Sequence, residues 1–153
     1  MLFRSTWTGS FTAAEGKNSV QVRQTDVAGN VSAATTLVFT LDTTAAAPGV
    51  SLKQDTGAKA DDFVTSVGTL SLTGVETGAT VEYSIDGGKT WAGSFTAAEG
   101  KNSVQVRQTD VAGNVSAAST LVFTLDTKAA APGVALAQDT GTSAIDGVTN
   151  AFE

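Results

Sequence analysis

The sequence predicts an all-β protein built of small antiparallel sandwiches in tandem, with a period of 84 residues. Three observations predict it. Apolar residues alternate with polar ones at a period of two, as strands with one buried face require. Turn residues interrupt these runs at short intervals. Long stretches also recur almost letter for letter: residues 6–43 and 90–127 differ only at Thr8/Ala92 and Thr35/Ser119. The hexapeptide TDVAGN therefore occurs at 25–30 and again at 109–114.

The correspondence continues beyond that block. AAAPGVSLKQDTG at 45–57 becomes AAAPGVALAQDTG at 129–141, and DDFVTS at 61–66 faces IDGVTN at 145–150. Solenoid repeats run to about 20–50 residues, so this longer period suits a small independent domain. The boundary falls in TTAAAPG and TKAAAPG, where Pro48 and Pro132 follow small residues. That is expected of a short linker entering an extended strand. On this division residues 1–43 are the C-terminal part of a preceding repeat, 44–128 a complete repeat, and 129–153 the N-terminal part of a following one. MLFRS at 1–5 does not match IDGGK at 85–89, and the chain reads as a slice of a longer array.

Within 44–128 the elements follow in order. Val50 and Leu52 mark a first strand, Leu70 and Leu72 a second, and Val81, Tyr83 and Ile85 a third. YSIDGGKTW reads as a hairpin with Gly at its tip, where positive φ is needed. Two short strands fit in Thr90–Thr96. Val104 and Val106, then Leu121, Phe123 and Leu125, complete the unit. Turn signals TGA at 77–79, DGGK at 86–89, AEGKN at 98–102 and DVAGN at 110–114 separate the runs. About seven strands suit an antiparallel sandwich. No capped amphipathic helix is evident. The expected core is Leu72, Val81, Tyr83, Val104, Val106, Leu121 and Phe123. Trp91 and Tyr83 are candidate ligand-binding aromatics, but in a small sandwich such residues more often fill the core or its edge.

Composition excludes several functions. Hydrophobic residues make up 41%, enough for a packed core. The net charge is −6 and the nine basic residues are scattered, which argues against a nucleic-acid partner. There is no Cys and no His, so a thiol nucleophile, an imidazole base and the usual zinc ligands are missing. Without Cys, no redox compartment can be read. No apolar run reaches the roughly 18 residues of a membrane span, so no membrane insertion is expected. MLFRSTWTGS lacks the apolar core of a signal peptide; an export signal would lie outside these residues. Adjacent acids such as Asp61 and Asp62 point to opposite faces of a strand, and a small sandwich offers no deep cleft for the paired carboxyls of glycoside hydrolysis. The chain is not expected to be an enzyme.

APGVSLKQDTG…DDFVTS, VEYSIDGGKTW, VQVRQTDVAGNVS and FTLDTT, in this order and at this period, resemble the bacterial immunoglobulin-like repeats of large surface adhesins and biofilm-associated proteins. The motifs span almost the whole chain. Singly they are loose; together they are fairly specific. The resemblance implies immunoglobulin-like β-sandwich domains in an extracellular stalk at the bacterial cell surface, often with calcium at the domain junctions. The incomplete first and last units depart from that pattern.

The carboxylates bear on the calcium expectation. The chain enters a sandwich of this strand order at one pole and leaves at the other. Asp55, Asp61, Asp62, Asp86 and Asp126 fall at the exit pole; Asp110 and Glu76 fall at the entry pole. Asp42 ends the preceding unit just before the linker. In tandem, acids from two units would converge there. Hard cations such as Ca²⁺ take six to eight oxygen ligands, and a bound cation relieves repulsion between crowded carboxylates. The expected ligands are Asp42, Asp110 and Glu76 at the first junction, and Asp126, Asp55 and Asp62 at the second. The alternative is that these acids are ordinary turn residues, because Asp bonds nearby backbone N–H groups. No EF-hand pattern is present.

The leading functional expectation is a structural spacer that holds a distant adhesive domain in cell adhesion or biofilm formation. Its partners would be neighbouring repeats, and the incomplete ends could associate head to tail. The alternative is a ligand-binding module contacting a glycan, a protein or a surface, which would show an exposed aromatic or apolar patch.

Overall fold

A computed structural model describes residues 7–140, 142, 143, 145 and 147–150. The mismatched MLFRS segment lies outside the described residues. Regular structure among the described residues is all strand: β1 (Gly16–Val22), β2 (Thr35–Leu41), β3 (Gly49–Leu52), β4 (Val64–Thr65), β5 (Leu70–Thr73), β6 (Thr80–Ser84), β7 (Gly100–Thr109) and β8 (Ser119–Leu125).

The complete repeat uses β3 to β8. β3 pairs with β5, and a second sheet has the order β4-β8-β7-β6. β6–β7 and β7–β8 are antiparallel, with Tyr83 opposite Val106 and Val104 opposite Leu121. β4 runs parallel to β8, Val64 facing Thr124 and Thr65 facing Leu125. The sandwich is therefore not wholly antiparallel. The loop 53–63 carries the chain from one sheet to the other, and the strand that resumes there runs with β8.

The repeat has six strands, fewer than expected, because Thr90–Thr96 forms none. That segment makes one isolated bridge, Tyr83 to Ala92, with both backbone bonds at 2.8 Å. The preceding turn holds it back. Gly87 and Gly88 take positive φ, as the hairpin reading requires. Asp86 Oδ1 accepts from Lys89 N and Thr90 N at 3.0 Å, and Oδ2 accepts from Thr90 Oγ1 at 2.6 Å. These bonds, that of the Thr90 hydroxyl foremost, hold the Asp86 carboxyl far below the usual carboxylate range.

The period-two pattern places four of the seven expected core residues in the interior. Val104, Val106, Leu121 and Phe123 are buried. Leu72, Val81 and Tyr83 pack against them but stay partly exposed, as do Val50, Leu52, Leu70 and Phe95. A sandwich this small has too little interior to enclose them all. Ile85 is 74% exposed, because β6 ends one residue earlier at Ser84. The aromatics are absorbed by packing. Phe95 meets Phe123 edge-on at 6.4 Å and stacks on Tyr83 at 6.3 Å. Trp91 lies under the Arg107 guanidinium at 4.0 Å and donates its N–H to Gly88 O at 3.1 Å.

The β1–β2 hairpin reproduces β7–β8 residue for residue. Gly16 faces Leu41 and Val22 faces Thr35, as Gly100 faces Leu125 and Val106 faces Ser119. The segment 129–150 contains no strand among its described residues.

Candidate metal centre at the repeat junction

The site is built on the inward row of β7. Asn102, Val104, Val106 and Gln108 alternate into the core, and Asp110 follows in register just past the strand; all are buried. Valines fill the middle of this row and polar residues mark its ends. At one end Asn102 closes the 98–102 turn, accepting from Ala98 N at 2.9 Å and donating to Ala98 O and Gly100 O at 2.8 Å. The other end meets the linker.

There the Gln108 side chain is fully buried and satisfied three times. It accepts from Glu76 N at 2.9 Å and donates to Ala46 O at 2.7 Å and to Gly74 O at 3.1 Å. It thus ties linker residue Ala46 to the β5–β6 loop. Glu76 returns the favour, its Oε1 accepting from Ala46 N at 2.9 Å. Asn114 adds a third tie, donating from Nδ2 to Asp42 O at 2.9 Å.

The DVAGN loop is organised by Asp110. Its Oδ1 accepts from Asn114 N and its Oδ2 from Asn114 Nδ2, each at 2.8 Å, while Gly113 supplies the positive φ. The Asn114 side chain is the main reason the Asp110 carboxyl is held below its usual range. The earlier copy repeats this geometry: Asp26 accepts from Asn30 N and Nδ2, again at 2.8 Å, although all of 21–35 is exposed. The loop therefore folds without a linker beside it. Asp110 is a turn-former by its local chemistry, and position alone gives it a second role.

That position is shared. One carboxylate oxygen each from Asp42, Glu76 and Asp110 lies within 4.8 Å of the others. Oxygens on opposite sides of a Ca²⁺ ion, each about 2.4 Å away, would be separated by about the same distance. The three acids come from the end of β2, the β5–β6 loop and the β7–β8 loop, so the linker brings them together. Among the described residues no cationic side chain pairs with them; the ion pair found there is Arg107–Glu82 at 2.9 Å, on the β6–β7 face. Each carboxylate accepts bonds from backbone N–H groups, Asp42 from Thr44 N at 3.3 Å, and retains lone pairs. An all-oxygen, anionic donor set fits a hard cation and not zinc.

Asp126, Asp55 and Asp62 do not converge in this way among the described residues. Each accepts a backbone N–H of its own loop, as the first-junction acids do: Asp126 Oδ1 from Lys128 N at 3.1 Å, Asp55 Oδ2 from Phe63 N at 3.0 Å, and Asp62 Oδ1 from Val64 N at 3.0 Å, while Asp55 Oδ1 is buried without a partner among the described residues.

A family model described as the bacterial Ig-like domain matches residues 44–127. The chain belongs to the bacterial Ig-like domain family. The matched span runs from the linker to just past β8 and contains Glu76 and Asp110. Asp42 precedes it, so the junction draws its third acid from outside this bacterial Ig-like domain. No curated protein matches the chain at a significant level.

Two features at the ends of the repeat are not legible in the sequence. Gln108 continues the alternation of Val104 and Val106, so its inward direction was legible; what a buried amide would bind was not. In the sequence Glu99 is simply one residue of the AEGKN turn. It accepts from Thr127 N at 3.1 Å and Thr127 Oγ1 at 2.8 Å, closing the end of β8, and Glu15 does the same for Thr43.

Proposed function

We infer that this bacterial Ig-like domain is a spacer repeat of an extracellular bacterial surface protein, stiffened by calcium at its junction and presenting a distant adhesive domain in adhesion or biofilm formation. It acts mechanically and not as an enzyme. The observation that carries this reading is the convergence of Asp42, Glu76 and Asp110 on a linker whose backbone is already held by Gln108, Glu76 and Asn114. Hydrogen bonds position the linker, while three like charges at one point oppose its closure. Calcium would neutralise that repulsion and bridge the two units, with Asp42, Glu76 and Asp110 as its carboxylate ligands. Near-identical copies suit a part that works by number.

Calorimetric titration of the full chain with calcium tests the site. Binding in the range of extracellular modules, with Kd about 10⁻⁴–10⁻³ M, is expected, and Asp42→Asn or Glu76→Gln should weaken it strongly. Unaltered binding in both variants would remove the junction from consideration.

A further inference from the structure

The sequence contains two Asp-Gly pairs, Asp86–Gly87 and Asp146–Gly147; Asp146 lies outside the described residues. An Asp followed by Gly is the peptide bond most open to attack on the neighbouring side chain, because no Cβ shields the glycine nitrogen. In that reaction Gly87 N attacks Asp86 Cγ, an N–C bond forms, and a carboxyl oxygen leaves as water. The product is a five-membered succinimide. Water then reopens the ring. Cleavage at the side-chain carbonyl restores aspartate. Cleavage at the main-chain carbonyl leaves isoaspartate, with the backbone rerouted through Cβ. One water leaves and one returns, so neither an oxidant nor an enzyme is needed.

The turn depends on both residues of the pair. Gly87 and Gly88 hold φ 76° and 86°, where a side chain is strained. Asp86 organises the same turn. Its Oδ1 accepts from Lys89 N and Thr90 N at 3.0 Å and from Ser84 Oγ at 2.7 Å, and its Oδ2 accepts from Thr90 Oγ1 at 2.6 Å. The buried Ser84 hydroxyl also accepts from Gly88 N at 2.9 Å. Both carboxylate oxygens are therefore held, by donors that precede and follow the Asp-Gly bond. Asp86 itself is exposed, so burial does not shield it.

We propose that Asp86–Gly87 is a site of spontaneous isoaspartate formation, which the clasp of Ser84, Lys89 and Thr90 on the carboxylate keeps closed in the folded repeat. Two effects act together. Attack requires the side chain to turn Cγ onto Gly87 N, which breaks the bonds to Lys89 and Thr90. It also requires a protonated carboxyl, since a carboxylate oxygen is a poor leaving group. The clasp, the Thr90 hydroxyl foremost, holds the group ionised. Isoaspartate adds a main-chain atom to a turn whose far side is pinned by the Tyr83–Ala92 bridge and by Trp91 N–H on Gly88 O. Conversion therefore loosens the 90–96 segment from β6 and Phe95 from its place against Tyr83 and Phe123. The turn is the point at which this repeat ages.

The full chain is incubated at neutral pH in heavy-oxygen water, native and in guanidinium, and mapped with trypsin. Cleavage after Lys59, Lys89 and Lys128 places Asp86 in peptide 60–89 and Asp146 in peptide 129–153. Each ring opening puts one heavy oxygen into the peptide. At Asp86 the native rate is expected to lie more than about tenfold below the rate in guanidinium. Thr90→Val removes the hydroxyl at nearly constant shape. It should raise the native rate about three- to tenfold and leave the guanidinium rate unchanged. Thr90→Ser keeps the hydroxyl and should keep the parent's native rate. Near-ultraviolet circular dichroism of both variants at the incubation temperature should match the parent's, which separates this effect from unfolding. Equal native and unfolded rates in the parent chain would overturn the proposal without recourse to a variant. A Thr90→Val rate no higher than the parent's would overturn it by showing that turn rigidity alone protects the bond. A Thr90→Ser rate as high as that of Thr90→Val would overturn it by removing the hydroxyl as the cause.

Discussion

Gln108 and Gln24 have the same sequence neighbours and opposite surroundings. Gln108 is buried between the linker and the β5–β6 loop, while Gln24 is exposed. Gln108→Ala should strand Glu76 N and the Ala46 and Gly74 carbonyls, costing about 2–3 kcal/mol in chemical denaturation. Gln24→Ala should stay within about 0.5 kcal/mol. Phe63 offers a second internal comparison. It holds φ 58°, a left-handed conformation that is costly for a side chain of this size, and it is half exposed. The corresponding residue in the next repeat is Gly147, at φ 73°. Phe63→Gly relieves about 1–2 kcal/mol of backbone strain against about 0.5–1 kcal/mol of added chain entropy, so a small rise in urea midpoint is expected. Asp110 makes stability depend on pH. Its folded carboxyl titrates below its unfolded value, so its contribution is complete above about pH 4 and is lost as pH falls through the depressed value. Melting curves of Asp110→Asn should lack that part of the acid limb.

At the scale of elements, the alternation that predicts β3 and β5 to β8 works because each buries one face. Val106 and Val22 measure that burial in identical local sequence. Val106→Ala should cost about 1.5–3 kcal/mol, and Val22→Ala almost nothing in dilute solution. Leu72, expected in the core but only partly buried, should fall toward the lower end of the roughly 2–5 kcal/mol range for Leu→Ala. The features that alternation missed are those it cannot encode. β4 has two residues and so no period, and its parallel pairing with β8 depends on where the loop 53–63 sets it down. Thr90–Thr96 has strand-like residues, but Asp86 and two left-handed glycines bend the chain too tightly for a ladder to form. The acids were legible as far as the first junction, because pole assignment needs only strand order. At the second junction the same logic places Asp126, Asp55 and Asp62 at one pole, but their carboxylate oxygens do not converge among the described residues.

For the whole molecule, the proposed function makes the junction the part that decides whether tandem repeats form a string or a rod. Gln108, Glu76 and Asn114 bond the linker, and on the proposed function the Asp42–Glu76–Asp110 cluster would make that arrangement sensitive to cations. At calcium ten times above Kd, linkage adds roughly 1.4 kcal/mol to the closed arrangement. On this proposal the effect on shape would exceed what that energy suggests, because a bridge at every junction would limit bending all along an array. The most direct measurement is small-angle scattering from a protein carrying residues 44–128 twice in succession, first in chelator and then in millimolar calcium. The expected result is a longer maximum dimension and a narrower distance distribution in calcium, both abolished by Glu76→Gln in the second repeat. Identical scattering in chelator and calcium, or a calcium response that persists in the variant, would contradict a calcium-stiffened junction and leave these acids as turn residues.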